Sequence, residues 1–144
     1  MKNGSVTLFA VVIGGALFQP ALAAKSASVE EKVVWSFGSG ADGQYPEGGL
    51  TVENGTLYGT TAFGGVQDLG TVFSVDPGTG TETVLYSFCT KRHRYCLDGA
   101  VPLAALIDVG GKLFGTTDGG GADCQAGPPC GGTVFSLNPV TGKE

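Results

Sequence analysis

Residues 70–76 read Gly-Thr-Val-Phe-Ser-Val-Asp, and residues 132–138 read Gly-Thr-Val-Phe-Ser-Leu-Asn. Two further phrases recur in the same order: Leu-Tyr-Gly-Thr-Thr at 57–61 returns as Leu-Phe-Gly-Thr-Thr at 113–117, and Val-Trp-Ser-Phe at 34–37 returns as Leu-Tyr-Ser-Phe at 85–88. A period of roughly 50 residues is typical of stacked units, because one such unit cannot bury its apolar faces alone. The sequence therefore predicts two tandem repeats, residues 33–82 and 83–144.

The first 23 residues have the pattern of a secretory signal peptide. Lys2 gives a basic start, residues 6–18 are mostly apolar, and Ala21-Leu22-Ala23 is a small-residue cleavage site. The apolar run is shorter than the ~18 to 20 residues that a membrane span needs. We expect cleavage after Ala23, no membrane span in residues 24–144, and an exported protein that is extracellular, at the cell surface or periplasmic.

The mature chain is acidic and rich in glycine. The full sequence has a net charge of −5, which becomes −6 when Lys2 is removed with residues 1–23, and it contains 26 glycines. Such a charge does not favour nucleic acid or an anionic membrane as a partner. The glycine content and the lack of any helical apolar stripe indicate a turn-rich β protein.

Short stretches with a period of two predict the strands. A tight turn is expected at Asn54-Gly55, because both residues tolerate the positive φ of a type I′ turn. Apolar residues occur on both faces of residues 71–75 and again on both faces of residues 133–137. Both faces of these strands are therefore expected to be packed, with sheets stacked face to face. The predicted fold is all-β, with four-stranded antiparallel repeats that form β-propeller-like blades. The predicted strands are residues 33–37, 50–53, 56–61, 70–76, 81–88, 103–109, 112–117 and 132–138.

The repeated phrases resemble those of the GloVer (Gloeo/Verruco) tandem-repeat family of secreted bacterial proteins. The resemblance covers nearly all of residues 24–144, and it includes the Gly-Thr-Val-Phe-Ser-x-Asp-Pro-x-Thr-Gly phrase at 70–80. It implies a repeat with no catalytic activity, present in many copies and followed by a surface-anchoring tail. This sequence departs from that pattern, since it has two copies and no recognisable anchor.

Two insertions separate the second repeat from the first, and each contains a pair of cysteines. Cys89 and Cys96 lie in one insertion, and Cys124 and Cys130 lie in the other. Four cysteines allow three pairings, and the local pairs Cys89–Cys96 and Cys124–Cys130 are favoured because each arrives with its own insertion. The alternative is a zinc site of four thiolates, which export and the absence of Cys-x-x-Cys spacing disfavour.

The only basic cluster of the chain is Lys91, Arg92, His93 and Arg94, between the first two cysteines. It could hold a carboxylate, sulfate or phosphate group, and a solvated loop tip is the alternative. His93 is the only histidine and no Gly-x-Ser-x-Gly phrase accompanies it, so no catalytic residue is assigned. No cofactor or metal is expected either. The loop aspartates could bind calcium, although solvated turns explain them better; they are Asp42, Asp68, Asp98, Asp118 and Asp123.

Three functions remain in view. The favoured one is an exported, non-enzymatic repeat protein with a structural or interaction role. The second is a carbohydrate-binding module that uses Trp35 and Tyr86 as stacking platforms, although a core position explains this pair better; an enzyme is third. The partner is an extracellular glycan, a protein, or a second copy bound head to tail. In the last case, residues 33–37 of one copy complete the last sheet of the next, and the alternative to this association is a marginal, aggregation-prone monomer.

Overall fold

The computed structural model describes residues 29–38, 40–90, 92–93, 95–122 and 131–143. The chain divides into two units, Met1–Glu31 and Lys32–Glu144, and every described strand lies in the second. Across the described ranges there are nine strands and no helix, which confirms the prediction of an all-β protein. In that same part of the chain, no helix is available that could cross a membrane.

The strands form two main antiparallel sheets and one short hairpin. The first sheet has the order β1-β2-β3-β4, and the second has the order β7-β8-β9. The hairpin pairs β5 with β6. Because neither main sheet is closed, the propeller-like arrangement stays a prediction. The bounds are β1 Thr51–Glu53, β2 Thr56–Thr61, β3 Thr71–Asp76, β4 Thr81–Ser87, β5 Arg92–His93, β6 Tyr95–Cys96, β7 Ile107–Val109, β8 Lys112–Thr117 and β9 Thr133–Leu137.

Four elements differ from the sequence prediction by more than one residue at an end. Residues 33–37 do not form a paired strand, because no other described strand lies beside their backbone as a ladder partner. The strand expected at 103–109 is only Ile107–Val109, since the chain before it turns to the first sheet, where the carbonyl of Ala104 accepts a hydrogen bond from the Thr60 hydroxyl at 3.1 Å. Strands β5 and β6 were not predicted, because they lie inside an insertion without a repeated counterpart.

The Gly-Thr-Thr and Gly-Thr-Val-Phe phrases pair with each other in the same register in both sheets. The hydroxyls of Thr61 and Thr71 lie 2.8 Å apart, as do those of Thr117 and Thr133. In each pair the second threonine also donates its backbone amide to the first hydroxyl. A buried amide without a partner costs about 1 to 3 kcal/mol, so the hydroxyls of Thr61 and Thr117 stabilise the sheets by accepting these amides.

Each glycine of the Gly-Thr-Thr phrase lies beneath a phenylalanine ring. A Cβ added at Gly59 would lie 2.6 Å from Cζ of Phe73, and one at Gly115 would lie 2.6 Å from Cζ of Phe135. Any larger residue would displace the ring. The repeated phrases are therefore explained by backbone pairing and close packing inside the sheets.

The main core lies between the two sheets. Phe88 is central, with ring centroids 5.0 Å from Phe135 and 5.3 Å from Tyr86. Both sheets contribute to this core, which ties the repeats into one unit. Its buried members are Val72, Phe88, Leu106, Leu113, Phe135 and Leu137, with Tyr58, Leu85 and Tyr86 packed against them.

Equivalent residues of the two repeats are not equally buried. Val72 of β3 is 0 % exposed, whereas Val134, its counterpart on β9, is 80 % exposed. Leu106 is 2 % exposed, whereas Leu50, its counterpart in the first repeat, is 55 % exposed. The expectation that both faces of each sheet are packed is thus correct for the first Gly-Thr-Val-Phe strand and wrong for the second. The reason is that Val72 faces the other sheet, and Val134 has no such neighbour among the described residues.

Candidate functional site

A cleft of about 560 Å³ lies beside Trp35, between the extended residues 33–38 and strand β4. Trp35 is 39 % exposed, so the expectation of a core position is wrong for this residue. It stays accessible because residues 33–37 lie at the margin of the first sheet and not inside it. The cleft is lined by Trp35, Ser36, Gly38, Ala41, Asp42, Glu82 and Val84.

Two carboxyl groups, those of Asp42 and Glu82, line this cleft. Glu82 lies on β4 opposite Val75 of β3, and Asp42 lies in the loop after residues 33–38. Burial, followed by the negative charge of Asp42, raises the pKa of Glu82 from 4.5 to about 7. Near neutral pH the cleft therefore holds a carboxyl group that retains its proton in a large share of molecules.

Chemically, the cleft combines an aromatic surface with hydrogen-bonding groups of both kinds. A protonated Glu82 donates a hydrogen bond, whereas a carboxylate at Asp42 only accepts. The indole of Trp35 offers an apolar face and an N–H donor. Such a set suits a neutral ligand with several hydroxyl groups better than an anion, because any ionised carboxyl group in the cleft repels negative charge.

Tyr86, the counterpart of Trp35 in the second repeat, is held in place by neighbouring side chains. Its hydroxyl donates to Oδ2 of Asp98 at 2.8 Å, and the amide of Thr90 donates to the same oxygen at 2.9 Å. Its ring packs on Phe88. The prediction of a core position is confirmed for Tyr86, so the two aromatic residues do not form a pair of equivalent platforms.

The Cys89–Cys96 disulfide is formed, with the two Cα atoms 4.4 Å apart. This confirms one of the two predicted bridges. The carbonyl of Cys96 accepts hydrogen bonds from the amides of Gly99 and Gly121, at 3.1 and 2.9 Å. The second predicted bridge, Cys124–Cys130, lies outside the described residues.

The basic cluster is only partly described. Arg92 and His93 form β5, which pairs with β6 through the Cα partners Arg92↔Cys96 and His93↔Tyr95. Lys91 and Arg94 lie outside the described residues. The anion-binding loop therefore stays a prediction.

Two of the aspartates considered for calcium accept hydrogen bonds from neighbouring protein groups. Oδ1 of Asp68 accepts the amide of Gly64 at 2.9 Å, and Asp98 holds Tyr86 and Thr90. Among the residues with a described placement, no three His, Cys, Asp or Glu side chains converge to hold a metal ion. Asp123 lies outside that set.

Sequence reasoning missed Glu82 and its proximity to Asp42. The alternation of side chains along β4 could have indicated Glu82. Glu82 and Val84 are two positions apart, so this acidic residue shares a face of the strand with an apolar residue. Its partner could not be found this way, because Asp42 belongs to another element.

The raised pKa of Glu82 predicts a pH-dependent stability. Between about pH 4.5 and 7 the folded protein binds a proton that the unfolded chain releases, so the free energy of unfolding should fall as the pH rises through this range. Because Glu82 is partly solvated, we expect a change of about 1 kcal/mol. Denaturant unfolding at pH 5 and pH 8 measures it. Glu82→Gln should abolish the difference in the free energy of unfolding between the two pH values, whereas the exposed Glu47→Gln should keep it. An unchanged difference in Glu82→Gln would show that Glu82 is not its source.

The fold defines a class of protein, in which tandem repeats form antiparallel β-sheets and the repeated phrases build the core. Comparison with family models identifies the family. The model described as the Gloeobacter/Verrucomicrobia repeat matches residues 7–144, and the chain belongs to this family. Searches of curated proteins and of solved structures found no match.

Proposed function

We propose that the chain is an exported, non-enzymatic repeat protein with a structural or interaction role at the cell surface or outside the cell. One observation carries this proposal: threonine hydroxyls of the repeated phrases form hydrogen bonds with one another. The hydroxyls of Thr61 and Thr71 bond together, as do those of Thr117 and Thr133. A repeat selected for catalysis would direct such groups into a cleft.

Two features support export. The Cys89–Cys96 disulfide is of the kind that persists in oxidising compartments. Residues 1–23 have the sequence of a signal peptide and lie outside the described residues. The disulfide needs the compartment that the signal peptide would provide.

Export is tested by expressing the full chain in a bacterium and measuring the mass of the exported protein. The mature chain should begin at Ala24. Ala23→Phe should prevent cleavage, because the residue before the cut must be small, whereas Ser28→Phe should leave it unchanged. An unprocessed chain that stays in the cytoplasm would contradict this part of the proposal.

A carbohydrate-binding role is the second candidate, and the exposed Trp35 beside Asp42 and Glu82 supports it. Trp35 is the only tryptophan, so its fluorescence reports directly on the cleft. A glycan array followed by titration should show binding that Trp35→Ala removes and Phe63→Ala keeps. If no sugar binds at millimolar concentration and the fluorescence does not change, this candidate is excluded.

The same preparation tests the absence of catalysis. Assays with glycoside substrates should give no turnover above background. A reproducible hydrolysis that Glu82→Gln abolishes would overturn the non-enzymatic proposal, since Glu82 and Asp42 are the two carboxyl groups that share this cleft.

A further inference from the structure

The contact between the two sheets is directional, and it uses different faces of each repeat. The face of the first sheet that carries Tyr58, Thr60 and Val72 packs against the second repeat. In return, the second sheet offers the opposite face, with Leu113 and Phe135, covered by Leu106 and Phe88. We call the first of these the donor face and the second the acceptor face.

Polar contacts fix this arrangement. The Thr60 hydroxyl donates to the carbonyl of Ala104 at 3.1 Å, and the amide of Val101 donates to the carbonyl of Leu69 at 2.9 Å. Val101 has a φ of 56°, an unusual value for a β-branched residue, and this conformation accompanies its bond to the first repeat.

Each sheet also has a second face that takes no part in this contact. The donor face of the second sheet carries Phe114, Thr116 and Val134, and Val134 is exposed where Val72 is buried. The acceptor face of the first sheet is an open apolar groove of about 460 Å³. Its lining includes Val33, Phe37, Leu50, Leu57, Phe73 and Val75.

The groove is equivalent to the acceptor face of the second sheet, but without a donor face packed over it among the described residues. Phe37 packs edge to face on Phe73 at 4.8 Å, as Phe88 packs on Phe135 at 5.0 Å. In the second repeat, Val72 and Tyr58 pack against the equivalent core. In the first repeat the same place is open within the described part of the chain. The equivalents of Val72 and Tyr58 are Val134 and Phe114.

We infer that a second copy of this chain occupies the groove, bound head to tail so that its donor face repeats the internal contact. Val134 and Phe114 of one copy would fill the groove of the other. Tyr45 supports the match, because its φ of 57° equals that of Val101 within one degree. Its carbonyl accepts the amide of Ala62 at 3.0 Å, as the carbonyl of Val101 accepts the amide of Asp118 at 3.0 Å. The amide of Tyr45 would donate to the carbonyl of Gly131 in the second copy, the counterpart of Leu69.

The register of the new strand pair follows from β3 and β4. There Val72 lies opposite Tyr86 and Thr71 lies opposite Ser87. By equivalence, residues 33–37 of one copy pair with β9 of the other, so that Trp35 lies opposite Val134. Completing the sheet would cover the edge of β9 that has no partner strand among the described residues. Because the two faces differ, the contact can propagate beyond a dimer.

The head-to-tail association goes beyond the proposed export. It is tested on the purified chain, so the association and the export can each be refuted without the other. Analytical ultracentrifugation should show a mass that rises with concentration. Val134→Arg should raise the dissociation constant by about tenfold or more, because it places a charge in an apolar groove. Val66→Arg is the matched control, since Val66 is 74 % exposed and lies in a loop, and it should change the constant less than twofold.

The register is tested by crosslinking two different single variants. A mixture of Trp35→Cys and Val134→Cys should form a disulfide-linked dimer on oxidation, since paired Cα atoms on adjacent strands lie within disulfide reach. A mixture of Val66→Cys and Val134→Cys should not. A chain that stays monomeric at all concentrations, or an association that Val134→Arg leaves unchanged, overturns the inference; so does equal crosslinking in both mixtures.

Discussion

Replacing Phe88 by alanine is expected to lower the free energy of unfolding by about 3 to 5 kcal/mol. Phe88 is 1 % exposed and lies between Tyr86 and Phe135, so its removal leaves a cavity where the two repeats meet. Small domains are stable by only about 5 to 15 kcal/mol, so much of the stability would be lost. Denaturant unfolding followed by Trp35 fluorescence measures the change.

Phe63→Ala is the control for this substitution. Phe63 is 41 % exposed and has Tyr45 as its ring neighbour at 5.7 Å, so we expect a loss of about 1 kcal/mol or less. If the free energy of unfolding of Phe88→Ala lies within about 1 kcal/mol of the parent value, the shared core does not hold the two repeats together as described.

The second large effect is expected at Gly132, which begins the second Gly-Thr-Val-Phe phrase. Its φ is +78°, and an added Cβ would lie 2.1 Å from the carbonyl oxygen of Thr117. Alanine there has to enter an unfavourable backbone region and push β9 away from β8. We expect a loss of about 3 kcal/mol, because a left-handed alanine costs about 1 to 2 kcal/mol and the strained hydrogen bonds add to this.

Gly131 provides the matched control, one residue earlier. A Cβ at Gly131 would meet no atom within 4 Å, and its φ lies outside the left-handed range. Gly131→Ala should therefore leave the unfolding midpoint within error of the parent. Equal destabilisation by both substitutions would show that the loop, and not the close approach to Thr117, sets the cost.

Sequence predicted the elements whose geometry is local. Asn54-Gly55 was expected to form a tight turn, and both residues have positive φ, 48° and 81°. The strands Thr56–Thr61 and Lys112–Thr117 have the predicted bounds. Local preference suffices there, because turn chemistry and the period of two act within a few residues.

Sequence could not predict what depends on a distant neighbour. Residues 33–37 have the composition of a strand but lack a ladder partner in the described structure, and pairing is a property of two segments. Val72 and Val134 occupy the same position in nearly identical phrases, yet one is buried and the other exposed. The Asp42–Glu82 cleft depends on contacts across 40 positions, which no local pattern reports.

The two cysteine-containing insertions also say where this scaffold accepts new sequence. The first ends at Cys96, and the amide of Gly121, just before the second, donates to the Cys96 carbonyl. The end of the first insertion therefore lies beside Gly121, and the paired strands keep the same register in the two repeats. Loops of varied length and composition could be grafted at this place without altering the core, which would make the repeat a framework for selecting new binding proteins.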